Sequence, residues 1–150
     1  MVVFRISRTE FASDLSGEGA RLFGGRWNKK EYPCIYTAAS RALALLEYTV
    51  NVSIDEMPLV LSMLSLEIPD DIITIDLADL PDNWNESPAP AATKDIGTKF
   101  LINGLAPILK LPSVIIPQEF NYLLNTKHAL SKEFKIVEIN EFFYDPRIKT

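Results

Sequence analysis

Glu47 is the first residue whose chemistry its surroundings leave unexplained. Leu43, Leu46, Glu47 and Val50 fall at i, i+3, i+4 and i+7, which places a carboxylate on the apolar stripe of a helix. A carboxylate there needs hydrogen-bonding or ionic partners, and without them its pKa rises. Two readings stand side by side. One is a perturbed carboxylate held ready for chemistry; the other is a glutamate that reaches the surface or sits in a structural ion pair.

A second candidate is the segment Gly17–Asn28, GEGARLFGGRWN, which carries four of the six glycines of the chain. Backbone amides freed by glycine can cradle an anion, and Arg21 and Arg26 could close on it. The segment fits neither the Walker A pattern nor GxGxxG opening a helix, and a tight connection without a ligand explains it equally well. Ser113, between Pro112 and a Val-Ile-Ile run, faces a core or a cleft and calls for a hydrogen-bond partner. No base stands near it in sequence, so hydrogen bonding suits it better than nucleophilic attack. Asn121 and Asn125 are grouped with it as polar residues of the same region. His128 reads as an exposed loop histidine, and Cys34 as a small buried hydrophobe.

What is scarce excludes as much as what is present suggests. One Cys rules out an internal disulfide, and with one His it rules out the common Cys/His zinc sites. Ser-His-Asp and Cys-His catalysis would both have to use His128. The 150 residues fit one domain, 1–150, with 47% hydrophobic and 23% charged residues, an ordinary globular balance. No apolar run is long enough to span a bilayer, and MVVFRISRTE lacks a signal-peptide pattern, so a cytoplasmic protein without membrane contact is expected. The net charge of −5 argues against direct nucleic-acid binding. The charge is also uneven: residues 1–50 carry +2 and hold five of the six arginines, while residues 51–150 carry −7. Arginines clustered on an acidic chain suit a small anionic ligand.

These residues must be positioned by short elements. The pattern predicts strands at Val2–Ile6, Pro33–Thr37, Leu59–Ile68, Ile72–Leu77, Ser113–Ile116 and Phe134–Ile139. On Leu59–Ile68 the apolar face is Val60, Leu64, Leu66 and Ile68. A helix capped by Ser40 runs to about Val50, and a shorter one spans Asp95–Asn103 before Gly104. Gly17–Asn28 is expected as irregular loop, Asp79–Thr93 as a Pro-rich loop and Asn121–Asn125 as turn or loop. Strands outnumber helices with no βαβ alternation, which gives an α+β fold with largely antiparallel strands.

In order along the chain, FRIS (Phe4–Ser7), SGEGARLFGGRWN (Ser16–Asn28), IYTAAS (Ile35–Ser40) and ALLEYTV (Ala44–Val50) resemble the N-terminal half of the RES-domain toxins. LPDNW (Leu80–Trp84), DIGTKFL (Asp95–Leu101), LPS (Leu111–Ser113), NYLLN (Asn121–Asn125) and YDPRI (Tyr144–Ile148) resemble its C-terminal half. The sequence departs from the family at Lys29 and Thr126, where proline is common; both departures bear on loop geometry. The resemblance implies an ADP-ribosyltransferase-like fold, with two small sheets around an NAD cleft and a few helices. It implies NAD as substrate, with no prosthetic group and no metal. It carries the arginine, glutamate and serine of the family name onto Arg26, Glu47 and Ser113, and it places Arg5 and Tyr36 along the NAD cleft, with Asn121 as a further binding residue.

The implied chemistry suits these residue types. Cleaving the nicotinamide–ribose bond develops oxocarbenium character, which a fixed carboxylate such as Glu47 stabilises best in a water-poor cleft. Nicotinamide leaves as a neutral ring, so no histidine acid is needed. Arg5 and Arg26 would pair with the pyrophosphate, Tyr36 would stack on nicotinamide or hold the ribose, and Ser113 would orient Glu47 or a ribose hydroxyl. The leading expectation is therefore an NAD-consuming bacterial toxin with water or phosphate as acceptor. A mono-ADP-ribosyltransferase acting on a host-cell protein is the alternative, and a non-catalytic nucleotide-binding module ranks below both. The expected partner is an Xre-family helix-turn-helix antitoxin covering the cleft, and family analogy allows a homodimer.

Overall fold

Ten α-helices and strands, linked in places by short 3-10 turns, follow in chain order in the computed structural model, which describes residues 1–149: β1 (Val2–Ser7), α1 (Glu18–Phe23), β2 (Ile35–Ala38), α2 (Arg41–Asn51), β3 (Val60–Glu67), β4 (Ile72–Thr74), α3 (Ala91–Asn103), β5 (Ile108–Pro112), β6 (Phe120–Leu124) and β7 (Lys135–Phe143). The strands pair in the order β4-β5-β6-β2-β1-β3-β7, all antiparallel except β4 with β5. The fold is α+β, as the pattern of short strands indicated. The strands form one seven-stranded sheet, whose two halves meet at β1 and β2. β1 pairs with β3 along its whole length and β2 with β6 along its whole length, yet β1 and β2 share only the pair Phe4↔Ala38.

Strand alternation sorts the apolar side chains into two layers. Val3, Ile35, Leu64, Ile108, Tyr122 and Leu124 form the core on one face. Their neighbours in sequence build the other face, which carries two clusters. Trp27, Trp84, Phe100, Leu109, Leu111 and Leu123 gather under α3, and Ile6, Ala38, Leu43, Ala44, Leu61 and Met63 gather under α2. β3, hydrogen-bonded on its edges to β1 and β7 with a register shift at Ser65/Leu66, is buried on both faces, Leu64 and Leu66 packing into the first core and Leu61 and Met63 into the cluster under α2. Val60 at the strand end is exposed.

Several elements differ from the sequence pattern for local reasons. Gly17–Asn28 is not loop throughout, because Glu18–Phe23 is helical. Gly17 precedes the helix in a left-handed conformation, and the amide of Gly24 closes it on the Ala20 carbonyl, so the glycines bracket a helix. The buried strand expected at Ser113–Ile116 ends instead at Pro112. The Ser113 hydroxyl accepts from the amides of Ile115 and Ile116 at 3.1 and 3.2 Å and turns the chain there. Asn121–Asn125 falls mostly in β6, a central strand held by β2 and β5, where flanking asparagines had suggested a turn. α3 starts at Ala91, four residues before the expected Asp95, and β4 stops at Thr74 rather than Leu77. Val50, assigned to the apolar stripe of α2, is exposed near the helix end, whereas Leu43 and Ala44 are buried.

Candidate active site

A cleft of about 920 Å³ opens at the seam where β1 and β2 diverge from their single shared pair. Phe4–Ser7 of β1, Ile35–Ala38 of β2, Glu47 of α2 and Gly24–Trp27 line it. Two weakly joined half-sheets thus leave a groove that a continuously paired sheet would close. Its size suits a ligand of several hundred Å³.

Glu47 reaches this groove from α2, whose N-terminus is set by Ser40 accepting from the Leu43 amide at 3.1 Å. Ser113 Oγ donates to Glu47 Oε1 at 2.8 Å. Burial pushes the Glu47 carboxyl above the usual glutamate range, against the opposing pull of Ser113, Asn121 and the Arg26 charge. Of the two environments open to Glu47 on sequence, the structure therefore shows a partly buried carboxylate at a cleft, and no ion pair closes on it among the described residues. Ser113 itself is 0% exposed, so it meets the carboxylate from behind and does not line the cleft. Asn121 does line it, and its amide nitrogen donates to the Thr37 carbonyl at 3.4 Å.

Arg26 sits at the groove with one terminal nitrogen donating to the carbonyls of Trp84 and Glu86, at 2.9 and 2.8 Å. It thereby ties the Pro-rich loop to the glycine segment. Burial lowers its pKa, and the charge of Glu47 opposes that shift. Arg5 enters the same cleft from another side. Strand alternation turns it away from Phe4 and Ile6, and the charge that supports it is Asp14, against a lowering by burial. Arg21, expected to close on an anion beside Arg26, is directed elsewhere. It pairs with Glu18 and Glu31, each at 2.7 Å, on the outer side of α1.

Tyr36 lines the cleft, and its hydroxyl is engaged on the protein side. It donates to Asn28 Oδ1 at 2.6 Å and accepts from the Trp27 amide at 3.0 Å. Burial raises its pKa well above the usual tyrosine value. Cys34, buried next to this strand, has its thiol pushed up to about 12 by desolvation and remains a packing residue. His128 caps the turn Ala129–Glu133 through its ring nitrogen and lies apart from the cleft. Asn125 donates to the Leu101 carbonyl at 3.2 Å, also apart from it. Among the described residues no cluster of His, Cys, Asp or Glu could hold a metal ion.

Sequence reasoning missed the residues that hold the arginine loop. Asn28 is fully buried, and its amide donates to the carbonyls of Ala20, Lys29 and Tyr32 while its oxygen accepts from Tyr36. α3 then grips alternate residues of the loop backbone. Lys94 donates to the Gly25 carbonyl at 2.8 Å, Gly97 lies under the Trp27 carbonyl, and Thr98 accepts from the Lys29 amide at 3.0 Å. A Cβ on Gly97 would stand 1.7 Å from the Trp27 oxygen, so only glycine permits this approach. Proline at position 29 would forfeit the bond to Thr98, because it has no amide hydrogen. The i, i+3, i+4 spacing of Lys94, Gly97 and Thr98 was legible in sequence, but nothing there named the loop they face.

Fold and groove together define a mixed α+β protein with a cleft at a sheet seam. Comparison then supplies the family: the RES domain matches residues 2–145, and the chain belongs to the RES-domain toxin family. It is 39% identical to the Toxin Res of Yersinia enterocolitica over 152 residues, covering 99% of this chain and 100% of that protein. It is 36% identical to the Prs ADP-ribosylating toxin of a Sphingobium species, covering 95% of this chain and 91% of that one. The fold is also similar to a chain of the Mycobacterium tuberculosis MbcT–MbcA toxin–antitoxin complex. That likeness has a TM-score of 0.77 at 17% identity, over 95% of this chain and 84% of the other.

Proposed function

We propose that the protein is an NAD-consuming toxin that cleaves the nicotinamide–ribose bond, with water or phosphate as acceptor. The observation that carries this reading is the Glu47–Ser113 pair, a single partly buried carboxylate held at 2.8 Å from behind and presented to a cleft lined by arginines. Positive charge developing at the anomeric carbon would be stabilised by that carboxylate, which is already oriented and shielded. Departure of neutral nicotinamide needs no general acid, and Arg26 and Arg5 supply charge for the pyrophosphate. With its hydroxyl engaged by Asn28 and Trp27, Tyr36 offers the ligand its ring face. NAD is then a substrate, and the chemistry asks for neither metal nor prosthetic group.

A second reading is favoured by the relative named for ADP-ribosylation: transfer of ADP-ribose to a protein from the same cleft. The similar fold drawn from a toxin–antitoxin complex supports an antitoxin as partner, and we infer an Xre-type helix-turn-helix protein that covers the cleft. Phe11, Leu22, Phe23 and Val50 stand exposed along the groove, Phe23 at 79%, as apolar surface for such a partner.

The test is NAD consumption by the purified chain, with products separated by chromatography and label followed into protein. Free nicotinamide with unlabelled protein supports hydrolysis or phosphorolysis, and the accompanying product names the acceptor. Label in protein selects transfer. Intact NAD in the presence of folded, antitoxin-free chain and cell extract counts against both.

A further inference from the structure

Lys94 belongs to none of the motifs that carry the family resemblance, yet it is a cation of the cleft. It is half-buried, and its ammonium donates to the Gly25 carbonyl at 2.8 Å. An ammonium has three donor hydrogens, so two remain for another acceptor. Arg26, the next residue along the loop, also binds main-chain carbonyls only, through one terminal nitrogen. Its other nitrogens have no acceptor among the described residues.

Some cations outside the cleft close on carboxylates, while Lys149, like Lys94, donates to main-chain carbonyls, those of Thr49 and Val52, but does not line the cleft. Arg21 pairs with Glu18 and Glu31, Lys29 with Asp95 and Arg147 with Asp145, each at 2.7 Å. The acids that line the cleft are otherwise engaged: Glu47 with Ser113, Glu18 with Arg21, and Asp14 with Ser16. A partly desolvated cation without a counter-ion is unfavourable until an anion completes it. Gly97 and Thr98 seat α3 on the same loop backbone, which fixes the point from which the Lys94 side chain reaches Gly25.

We infer that Lys94 contacts the ligand directly and forms with Arg26 a diphosphate subsite on either side of the Gly25–Arg26 peptide. Two neighbouring cations presented from one rigid loop–helix seam match two neighbouring phosphoryl groups, each carrying its own charge. The inference rests on the reading of the cleft as a dinucleotide site and assigns the part of the ligand that Lys94 recognises.

Calorimetric titration of the full chain with ADP-ribose and, separately, with inorganic pyrophosphate tests it without turnover. Lys94→Met should weaken both ligands about tenfold or more, while Lys94→Arg stays within about threefold of wild type. Lys94→Met should also flatten the dependence of log Kd on log salt, a readout that a purely structural strap to Gly25 would leave unmoved. Unchanged affinity in folded Lys94→Met overturns the inference and leaves the dinucleotide reading standing. Equal loss in both variants with an unaltered salt slope makes Lys94 a strap and overturns it too. Wild type that binds pyrophosphate in a Lys94-dependent way but not ADP-ribose keeps the anion subsite and overturns the dinucleotide reading. Wild type that binds neither overturns both.

Discussion

Ser113 holds Glu47 from a position that solvent does not reach: its hydroxyl donates to the carboxylate at 2.8 Å while the residue itself is 0% exposed. The same oxygen accepts from the Ile115 and Ile116 amides, so its proton has one direction left in which to point. Two turn amides thus fix a hydroxyl, and the hydroxyl fixes a carboxylate carried by a helix 66 positions away in sequence.

Glu47→Gln removes the charge with little change of shape. Turnover of NAD should fall by about a hundredfold or more while the dissociation constant for NAD changes little. Product chromatography beside calorimetry checks this, and near-wild-type turnover would remove Glu47 from the mechanism.

Ser113→Ala should move the acid limb of the pH–activity profile to higher pH. Glu47 already sits above the ordinary glutamate value because it is desolvated, and the Ser113 hydrogen bond opposes that shift. Without the bond the carboxylate takes up its proton at higher pH, and activity is lost earlier on acidification. The variant should also be less stable by about 1–2 kcal/mol, since two amides lose their acceptor. An unmoved acid limb would show that Glu47 ionisation does not govern the rate.

The same desolvation has a stability consequence of definite sign. A carboxyl whose folded pKa lies above its unfolded value binds its proton more tightly in the native state. Its contribution to stability is therefore fully present below the unfolded pKa and is lost as pH rises through the folded one. Glu47→Gln should flatten this part of the stability curve, as denaturant titration across the weakly acidic range would show.

Arg26→Ala should weaken binding of both NAD and ADP-ribose and loosen the loop at Trp84–Glu86, because one guanidinium nitrogen bridges two carbonyls there. Arg26→Lys should recover only part of the loss, since an ammonium on a flexible stem does not reproduce the planar fork. Hydrogen exchange over residues 84–86 together with calorimetry measures both effects. Unchanged dissociation constants would contradict the contact with the pyrophosphate.

Asn28→Leu should destabilise the protein by about 2–4 kcal/mol, because three carbonyls and the Tyr36 hydroxyl lose a buried partner at once. Thermal unfolding should show a midpoint lower by about 5 °C or more for a chain of this size. A midpoint within a degree of wild type would mean that water replaces the amide.

Much of this protein is legible in one dimension. The carboxylate on an apolar helix stripe, the Ser40 cap, the strands at both ends of the chain and the ordered family motifs all come from spacing and residue type, because helix and strand periods are local. The family resemblance singled out Arg5, Arg26, Tyr36, Glu47, Ser113 and Asn121, and all but the buried Ser113 line the same cleft. Local pattern misled where a side chain or a neighbouring strand intervened. A hydroxyl capturing two amides ended β5 at Pro112, and pairing on both edges made a central strand of Phe120–Leu124.

Tertiary structure alone decided what each polar group has left to offer a ligand. Arg21 and Arg26 look equivalent in the glycine segment, yet the first is held by Glu18 and Glu31 and the second faces the cleft. Ser113 and Tyr36 both carry hydroxyls, but one is sealed behind Glu47 and the other is engaged by Asn28 and Trp27. Lys94 carries no sequence signal, and its place beside Arg26 follows from α3 packing on a loop more than sixty residues away. Residue type and spacing determine which groups exist and which local element carries them. Long-range packing determines which hydrogen-bond donors and charges are already satisfied, and only the remainder can meet a substrate.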